Sequence, residues 1–131
     1  MKTYMRLACL LILLASGIAQ ASNPAIGLLN QCRVAVSADA TRVMPPATKC
    51  LSYIEGWLEG IGGTLITDDK GFLQTVTIED GVTANQVAKV FVLYMENHPE
   101  EENKRRQVAL MHAMTNAGLV TMVSPGKDAA K

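Results

Sequence analysis

The N-terminal segment sets both the length of chain that can fold and the compartment in which it folds. It opens with the basic residues Lys2 and Arg6, continues as an almost unbroken apolar run from 7 to 18, and ends in the small-residue tripeptide 19–21. This is the layout of a secretory signal peptide cleaved after Ala21. The apolar run is short for a membrane span, and no stop-transfer segment follows it. The sequence therefore predicts an exported protein, located in the periplasm or outside the cell, without a membrane anchor after cleavage, in which residues 22–131 form one small domain.

The charge of the expected mature chain excludes one class of partner. The full sequence has 12 Lys and Arg against 12 Asp and Glu. Since cleavage removes Lys2 and Arg6, ten basic and twelve acidic side chains remain, a net charge of about −2. Nucleic-acid binding needs clustered Lys and Arg that displace counterions from phosphates. We therefore expect no nucleic-acid partner.

The cysteines indicate how such a small domain is stabilised. Cys9 is lost with the leader, which leaves Cys32 and Cys50. Two cysteines in an exported domain more often form a disulfide than a metal site. The alternative is a pair of buried free thiols. We expect a Cys32–Cys50 disulfide.

The hydrophobic pattern predicts a mainly helical domain. Asn23 is expected to cap a first helix, a second helix spans 47–62, and Trp57 lies on the apolar stripe of the second. Because both cysteines lie on these stripes, the disulfide would link the two helices. Gly56 and Gly60, four residues apart, predict close helix packing, and Trp57 is expected to be buried between the helices.

The second half of the chain predicts two more helices and a short extended segment. Residues 72–78 alternate like a strand, the capping-box sequence at 83–86 opens a third helix, and Pro99 opens a fourth that ends at Gly118. Three glutamates at 100–102 precede three basic residues at 104–106 by four positions, typical of a solvated helix face. The predicted fold class is all-α, with four to five helices, one possible strand-like arm and a loose tail from Pro125.

Catalytic and metal-binding motifs are absent from the sequence. His98 and His112 are the only histidines, and neither has a partner at metal-ligand spacing. The acidic turns at 68–71 and 79–81 have no calcium-loop ligand series, so ordinary turns are expected there. A Cys–His hydrolase remains an alternative. We expect a protein that is not an enzyme and needs no cofactor.

Four segments in order resemble the Tai-type immunity proteins of bacterial type VI secretion, and together they extend over most of the expected mature chain. The segments are LLNQC (28–32), CLSYIEG (50–56), GVTANQ (81–86) and YMENHPE (94–100). The resemblance implies a small all-helical periplasmic protein, often a homodimer, that performs no chemistry. It further implies a partner, a peptidoglycan amidase effector of the Cys–His hydrolase type, which the immunity protein binds and inhibits.

Two connections are candidates for the effector-binding surface, because loops on rigid scaffolds commonly carry binding residues. The first is the glycine-flanked segment 63–71, with Thr64, Thr67, Asp68, Asp69 and Lys70. The second is the turn 97–103, with Asn97, His98, Glu100 and Glu101.

A small periplasmic acid-stress chaperone is the alternative function. That class also uses a short helical chain with one disulfide. It would need an apolar surface exposed on demand, for which Phe72, Leu73 and Val76 are the candidates.

Overall fold

A computed structural model of the chain describes residues 23–37, 44–67, 70–71 and 73–124. The predicted leader with its cleavage site, Asp68, Asp69, Phe72 and the tail from Pro125 lie outside these residues. No helix within the described part has the length and apolar composition needed to cross a membrane. The described elements, in chain order, are α1 (Ala25–Val36), α2 (Pro45–Ile61), β1 (Leu65–Thr67), β2 (Leu73–Ile78), α3 (Ala84–Asn97), a 3-10 turn (Pro99–Glu101), α4 (Arg106–Asn116) and β3 (Val120–Val123).

The prediction of a mostly helical domain with four helices is confirmed, but the fold is not purely all-α, because a three-stranded antiparallel sheet completes it. The predicted strand-like arm is β2, which lies between β1 and β3. Leu65 of β1 is opposite Thr75, and Met122 of β3 is opposite Val76. A single strand leaves its backbone groups without partners, so β2 required neighbours that the sequence pattern did not reveal. Strands of three and four residues are too short to show a clear alternation.

The first helix begins differently from the prediction. Pro24 is its N-cap residue and Asn23 makes no cap, since the helix starts at Ala25. The amide of Ala25 donates to the carbonyl of Lys104 over 2.8 Å, and that of Ile26 donates to Glu102 over 3.0 Å. The α3–α4 connection therefore satisfies the first two amides of α1, a task that side-chain caps perform in other helices.

The third helix starts as predicted, and the fourth does not. The Thr83 hydroxyl accepts a hydrogen bond from the amide of Gln86, which caps α3. Pro99 opens only a 3-10 turn, and α4 begins at Arg106. The proposed face of charge pairs four residues apart is therefore absent, because the acidic and basic triplets do not share a helix.

Gly118 ends α4 as predicted. It has a φ of 70°, a conformation that glycine adopts without steric cost. The amide of Leu119 donates to Met114, and that of Gly118 donates to Thr115. These two bonds form a Schellman motif, which satisfies the last carbonyls of the helix and directs the chain into β3.

The core lies where the four helices meet the inner face of the sheet. The predicted disulfide between Cys32 and Cys50 is formed, at an S–S distance of 2.04 Å, and it links α1 to α2. The largest fully buried side chains around it are Leu28, Leu29, Ile54, Val76, Val87, Phe91, Met95, Leu110 and Met114.

The prediction of close helix packing at Gly56 and Gly60 is wrong. Both glycines are exposed, and a Cβ added at either position would have no heavy atom within 4 Å beyond its own surroundings in the helix. The buried face of α2 is instead the apolar stripe that contains Cys50 and Ile54, and Cys50 is bonded to Cys32 of α1.

Candidate functional site

The candidate effector-binding residues lie in two places. Thr64, Thr67 and Lys70 belong to the segment that follows α2 and to the β1–β2 hairpin, while Asp68 and Asp69 lie outside the described residues. The other four, Asn97, His98, Glu100 and Glu101, form the connection from α3 to the 3-10 turn.

Of the hairpin candidates, one is hydrogen-bonded to the backbone of the fold and two lie on the surface. The Thr64 hydroxyl donates to the carbonyl of Ile61 over 2.6 Å, and its own carbonyl accepts from the amide of Val76. Thr64 therefore fixes the turn from α2 into the sheet. Thr67 and Lys70 are exposed.

An open groove lies beside the hairpin, between α2, β1 and α4. We call it the Trp57 groove. Its volume is about 380 Å³, and it is lined by Trp57, Ile61, Ile66, Thr67, Gln107, Val108, Met111 and His112.

Trp57 is only partly buried, so its predicted burial between the first two helices is wrong. Its side chain lines the groove instead, and Val108 on the opposite side is 40% exposed. The sequence contained one signal of this surface. Val108 and Met111 extend the apolar stripe of α4 beyond the buried positions Leu110 and Met114.

Glu101 is a buried carboxylate, with 5% of its surface exposed. It accepts hydrogen bonds from Lys104 Nζ over 2.7 Å and from His112 Nδ1 over 3.0 Å. Burial alone raises the pKa of this carboxyl, but the two bonds and the positive charges of their donors outweigh burial and lower the pKa overall. Glu101 is therefore ionised at neutral pH and is enclosed by its partners.

His112 connects the two candidate regions. It lines the Trp57 groove together with Thr67, and its ring bonds to Glu101 in the α3–α4 connection. Because the carboxylate of Glu101 is held by two donors, it orients the imidazole that forms part of the groove wall.

The end of α3 carries the remaining candidates. His98 Nδ1 lies 2.8 Å from the carbonyl of Tyr94, which can only accept, so Nδ1 carries the proton. The two rings stack with centroids 4.1 Å apart. Asn97 donates to the carbonyl of Leu93. Both side chains thus cap helix carbonyls beside a cavity of about 270 Å³.

Burial, with a contribution from the negative charge of Glu101, raises the pKa of Tyr94. The Tyr94 hydroxyl, which is protonated at neutral pH in any case, therefore keeps its proton to a higher pH than the hydroxyl of a free tyrosine.

The chemistry available to the described residues is limited. Cys32 and Cys50 are fully buried and bonded to each other, so neither supplies the thiolate that a Cys–His hydrolase requires. The described residues contain no group of three or more His, Cys, Asp or Glu placed to hold a metal ion.

The Trp57 groove is an exposed, mainly apolar surface with polar groups at its edge, and surfaces of this kind often mark interaction sites. Residues 25–117 match the family of Rap1a immunity proteins, and the chain belongs to that family. The match agrees with the immunity class that the sequence predicts, and it does not confirm the Tai type in particular. No curated protein and no solved structure matches the chain.

Proposed function

We propose that this protein is a periplasmic immunity protein that binds and inhibits a type VI secretion peptidoglycan amidase, and so protects the producing cell from murein hydrolysis. Membership of the Rap1a immunity family, which implies a cognate effector, is the observation that carries this proposal. The signal-like leader supports the location, because murein lies outside the cytoplasmic membrane.

The Trp57 groove is the surface that we assign to the effector. Hot spots of protein interfaces are enriched in tryptophan and lie in pockets that exclude water. Trp57, Val108 and Met111 give the groove an apolar floor, and Gln107 and His112 supply hydrogen-bonding groups. Its occupant would be an apolar or aromatic side chain of the amidase.

The fold holds this groove in a fixed shape before binding. The disulfide fixes α2 against α1, and the bonds of Glu101 fix α4 against the connection that precedes it. A preorganised surface loses less conformational entropy on binding and therefore binds more tightly. An inhibitor needs this rigidity and no catalytic group of its own.

Inhibition of an amidase tests the function directly. The mature chain is used to capture proteins secreted by its own bacterium, and each captured amidase is assayed on purified murein with increasing amounts of the chain. The proposal expects one amidase that is inhibited at a one-to-one ratio. Capture without inhibition of murein cleavage at any ratio would contradict it.

Three variants test the surface, and two of them, both to lysine, form a matched pair. Val108→Lys places a charge in the groove, and Leu93→Lys places the same charge on an exposed leucine beside the α3 cavity. We expect Trp57→Ala and Val108→Lys to weaken inhibition by roughly 30-fold or more, because hot-spot truncations cost at least about 2 kcal/mol. Leu93→Lys should inhibit like the wild type. The reverse pattern would assign the effector to the α3 cavity with Asn97 and His98.

The chaperone alternative needs an apolar surface that becomes exposed in acid. Val76, one of the three apolar residues that it required, is fully buried in the core, while Leu73 is exposed. Suppression of client aggregation only at acidic pH, without inhibition of any amidase, would support it.

A further inference from the structure

The hydrogen bond between His112 and Glu101 fixes which nitrogen of the imidazole carries a proton. Glu101 is ionised at neutral pH, and an ionised carboxylate only accepts hydrogen bonds. His112 Nδ1, which lies 3.0 Å from Oε2 of Glu101, is therefore the donor and carries the proton. In a neutral imidazole the other nitrogen, Nε2, then has a free lone pair and only accepts.

Nε2 of His112 is available to a ligand in the Trp57 groove. It makes no hydrogen bond within the part of the chain that the structure describes. The side chain of His112 lines the groove and is 42% exposed. Because Nδ1 faces the buried carboxylate, Nε2 lies on the side of the ring away from Glu101. The groove thus offers a hydrogen-bond acceptor whose direction is set by the fold.

The remainder of the groove favours a large, uncharged, aromatic occupant. Trp57, Val108 and Met111 form an apolar floor, and a methionine sulfur makes favourable contacts with aromatic rings. None of the described lining residues carries a fixed charge, so a charged occupant would lose its water without gaining an ionic partner. The groove volume of about 380 Å³ lies near the lower end of the range for ligand pockets, about 300–1,000 Å³, and suits one large side chain.

The other polar side chains of the described groove do not select between a donor and an acceptor. The amide group of Gln107 and the hydroxyl of Thr67 can each donate or accept, and both side chains are exposed. His112 differs from them because Glu101 holds its ring and leaves only an acceptor toward the ligand. Selection for a hydrogen-bond donor therefore depends on His112.

We infer that the Trp57 groove binds an aromatic side chain with an uncharged donor, tyrosine or tryptophan, whose O–H or N–H donates to Nε2 of His112. A phenylalanine ring would exclude water from Nε2 without replacing the lost hydrogen bond, and this is unfavourable. That the aromatic side chain belongs to an amidase rests on the proposed function. His112 is the specificity-determining residue of the groove, and Glu101 is the residue that positions it.

Indole and N-methylindole test this inference on the mature chain alone. The two probes have the same ring system, but only indole has an N–H. Their dissociation constants are measured by NMR titration at about pH 8, where imidazoles are ordinarily neutral. Indole should bind about three- to tenfold more tightly, as expected from one uncharged hydrogen bond. The additional methyl group favours burial of N-methylindole, so the hydrophobic effect alone predicts the opposite order.

Two substitutions to leucine on α4 locate the preference. His112→Leu removes the acceptor and should abolish the preference for indole. Gln107→Leu removes a different polar group from the same groove and should retain the preference. His112→Leu keeps the bond from Lys104 to Glu101, and thermal unfolding of both variants checks that they are folded. Long-range ¹H–¹⁵N spectra of the wild type report the tautomer of His112 without any substitution.

Equal, weaker or unmeasurable binding of indole to the wild type overturns the inference. So does a preference that His112→Leu retains, a preference that Gln107→Leu abolishes, or a neutral His112 ring protonated at Nε2. The proposed function is judged separately. Inhibition of an amidase by a chain that shows no preference for indole contradicts this inference alone, and a preference for indole without inhibition of any amidase contradicts the proposed function alone.

Discussion

His112 donates a hydrogen bond from Nδ1 to Oε2 of Glu101 over 3.0 Å, across eleven positions of the chain. The bond joins the 3-10 turn to α4, and it places the imidazole in the wall of the Trp57 groove. The same carboxylate accepts from Lys104 through its other oxygen. One buried acidic side chain therefore fixes the chain reversal before α4 and one side of the groove.

Substitution of Glu101 by glutamine should destabilise the fold. Gln keeps the size of the side chain but loses the charge, and its amide group cannot accept from both donors. We expect the free energy of unfolding to fall by about 1–3 kcal/mol, measured by urea denaturation. Glu100→Gln is the control, since Glu100 is exposed, and it should change stability by less than about 0.5 kcal/mol. Equal effects of the two variants would mean that the network adds no stability.

The acid stability of the protein should depend on the same carboxylate. The folded protein lowers the pKa of Glu101 from its ordinary value of 4.5, so the folded state binds this proton more weakly than the unfolded chain. The stabilisation is therefore present above the unfolded pKa and is lost as pH falls through the folded pKa. Below pH 4.5, urea midpoints of the wild type should fall more steeply than those of Glu101→Gln. Parallel profiles would contradict this assignment.

Loss of the disulfide should cost a large part of the stability. Cys32 and Cys50 are separated by 18 residues, and cross-linking a loop of this length stabilises by about 3 kcal/mol in the chain-entropy model. We expect the double variant Cys32→Ala with Cys50→Ala to unfold at a correspondingly lower urea concentration. Reductant should lower the midpoint of the wild type only. If it also shifts the double variant, the effect does not come from this bond.

Truncation of Trp57 should cost less than truncation of a core residue in the same helix. Trp57 is partly buried beside an open groove, whereas Ile54 is fully buried. We expect Ile54→Ala to cost about 2–5 kcal/mol and Trp57→Ala about 1–2 kcal/mol, as measured by urea denaturation. A cost above 3 kcal/mol for Trp57→Ala would mean that Trp57 packs as a core residue.

Local features of the fold could be predicted because their causes lie within a few residues. Thr83 caps α3 through Gln86, three positions later, and Gly118 ends α4 through its own backbone conformation. The pairing of Cys32 with Cys50 followed from having two cysteines in an exported domain. The two helix ends depend on residues that are close in the chain, and each cysteine of the expected mature chain had only one other cysteine with which to pair.

The site was predicted only in part, because its contacts connect distant segments. Thr67 and His112 line one groove, although 45 positions separate them in the sequence. The sequence predicts a buried Trp57, because a tryptophan on an apolar helix stripe shows the same spacing in the sequence whether another helix or an open groove lies against it. Glu101 was assigned to a solvated face because the sequence could not show that the helix starts later.

The sequence by itself determined the mostly helical fold, through the helical spacing of its apolar residues. It also determined the cap of α3 and the end of α4, which depend on local sterics, and the disulfide, which follows from the number of cysteines. Only the tertiary structure decided where α1 starts, because carbonyls of the α3–α4 connection accept from its first amides. Only the tertiary structure decided the sheet, in which β2 pairs with β1 and β3. It also decided which apolar residues are buried. Backbone hydrogen-bond partners and burial are set by segments far apart in the chain, and a pattern along one segment contains no information about them.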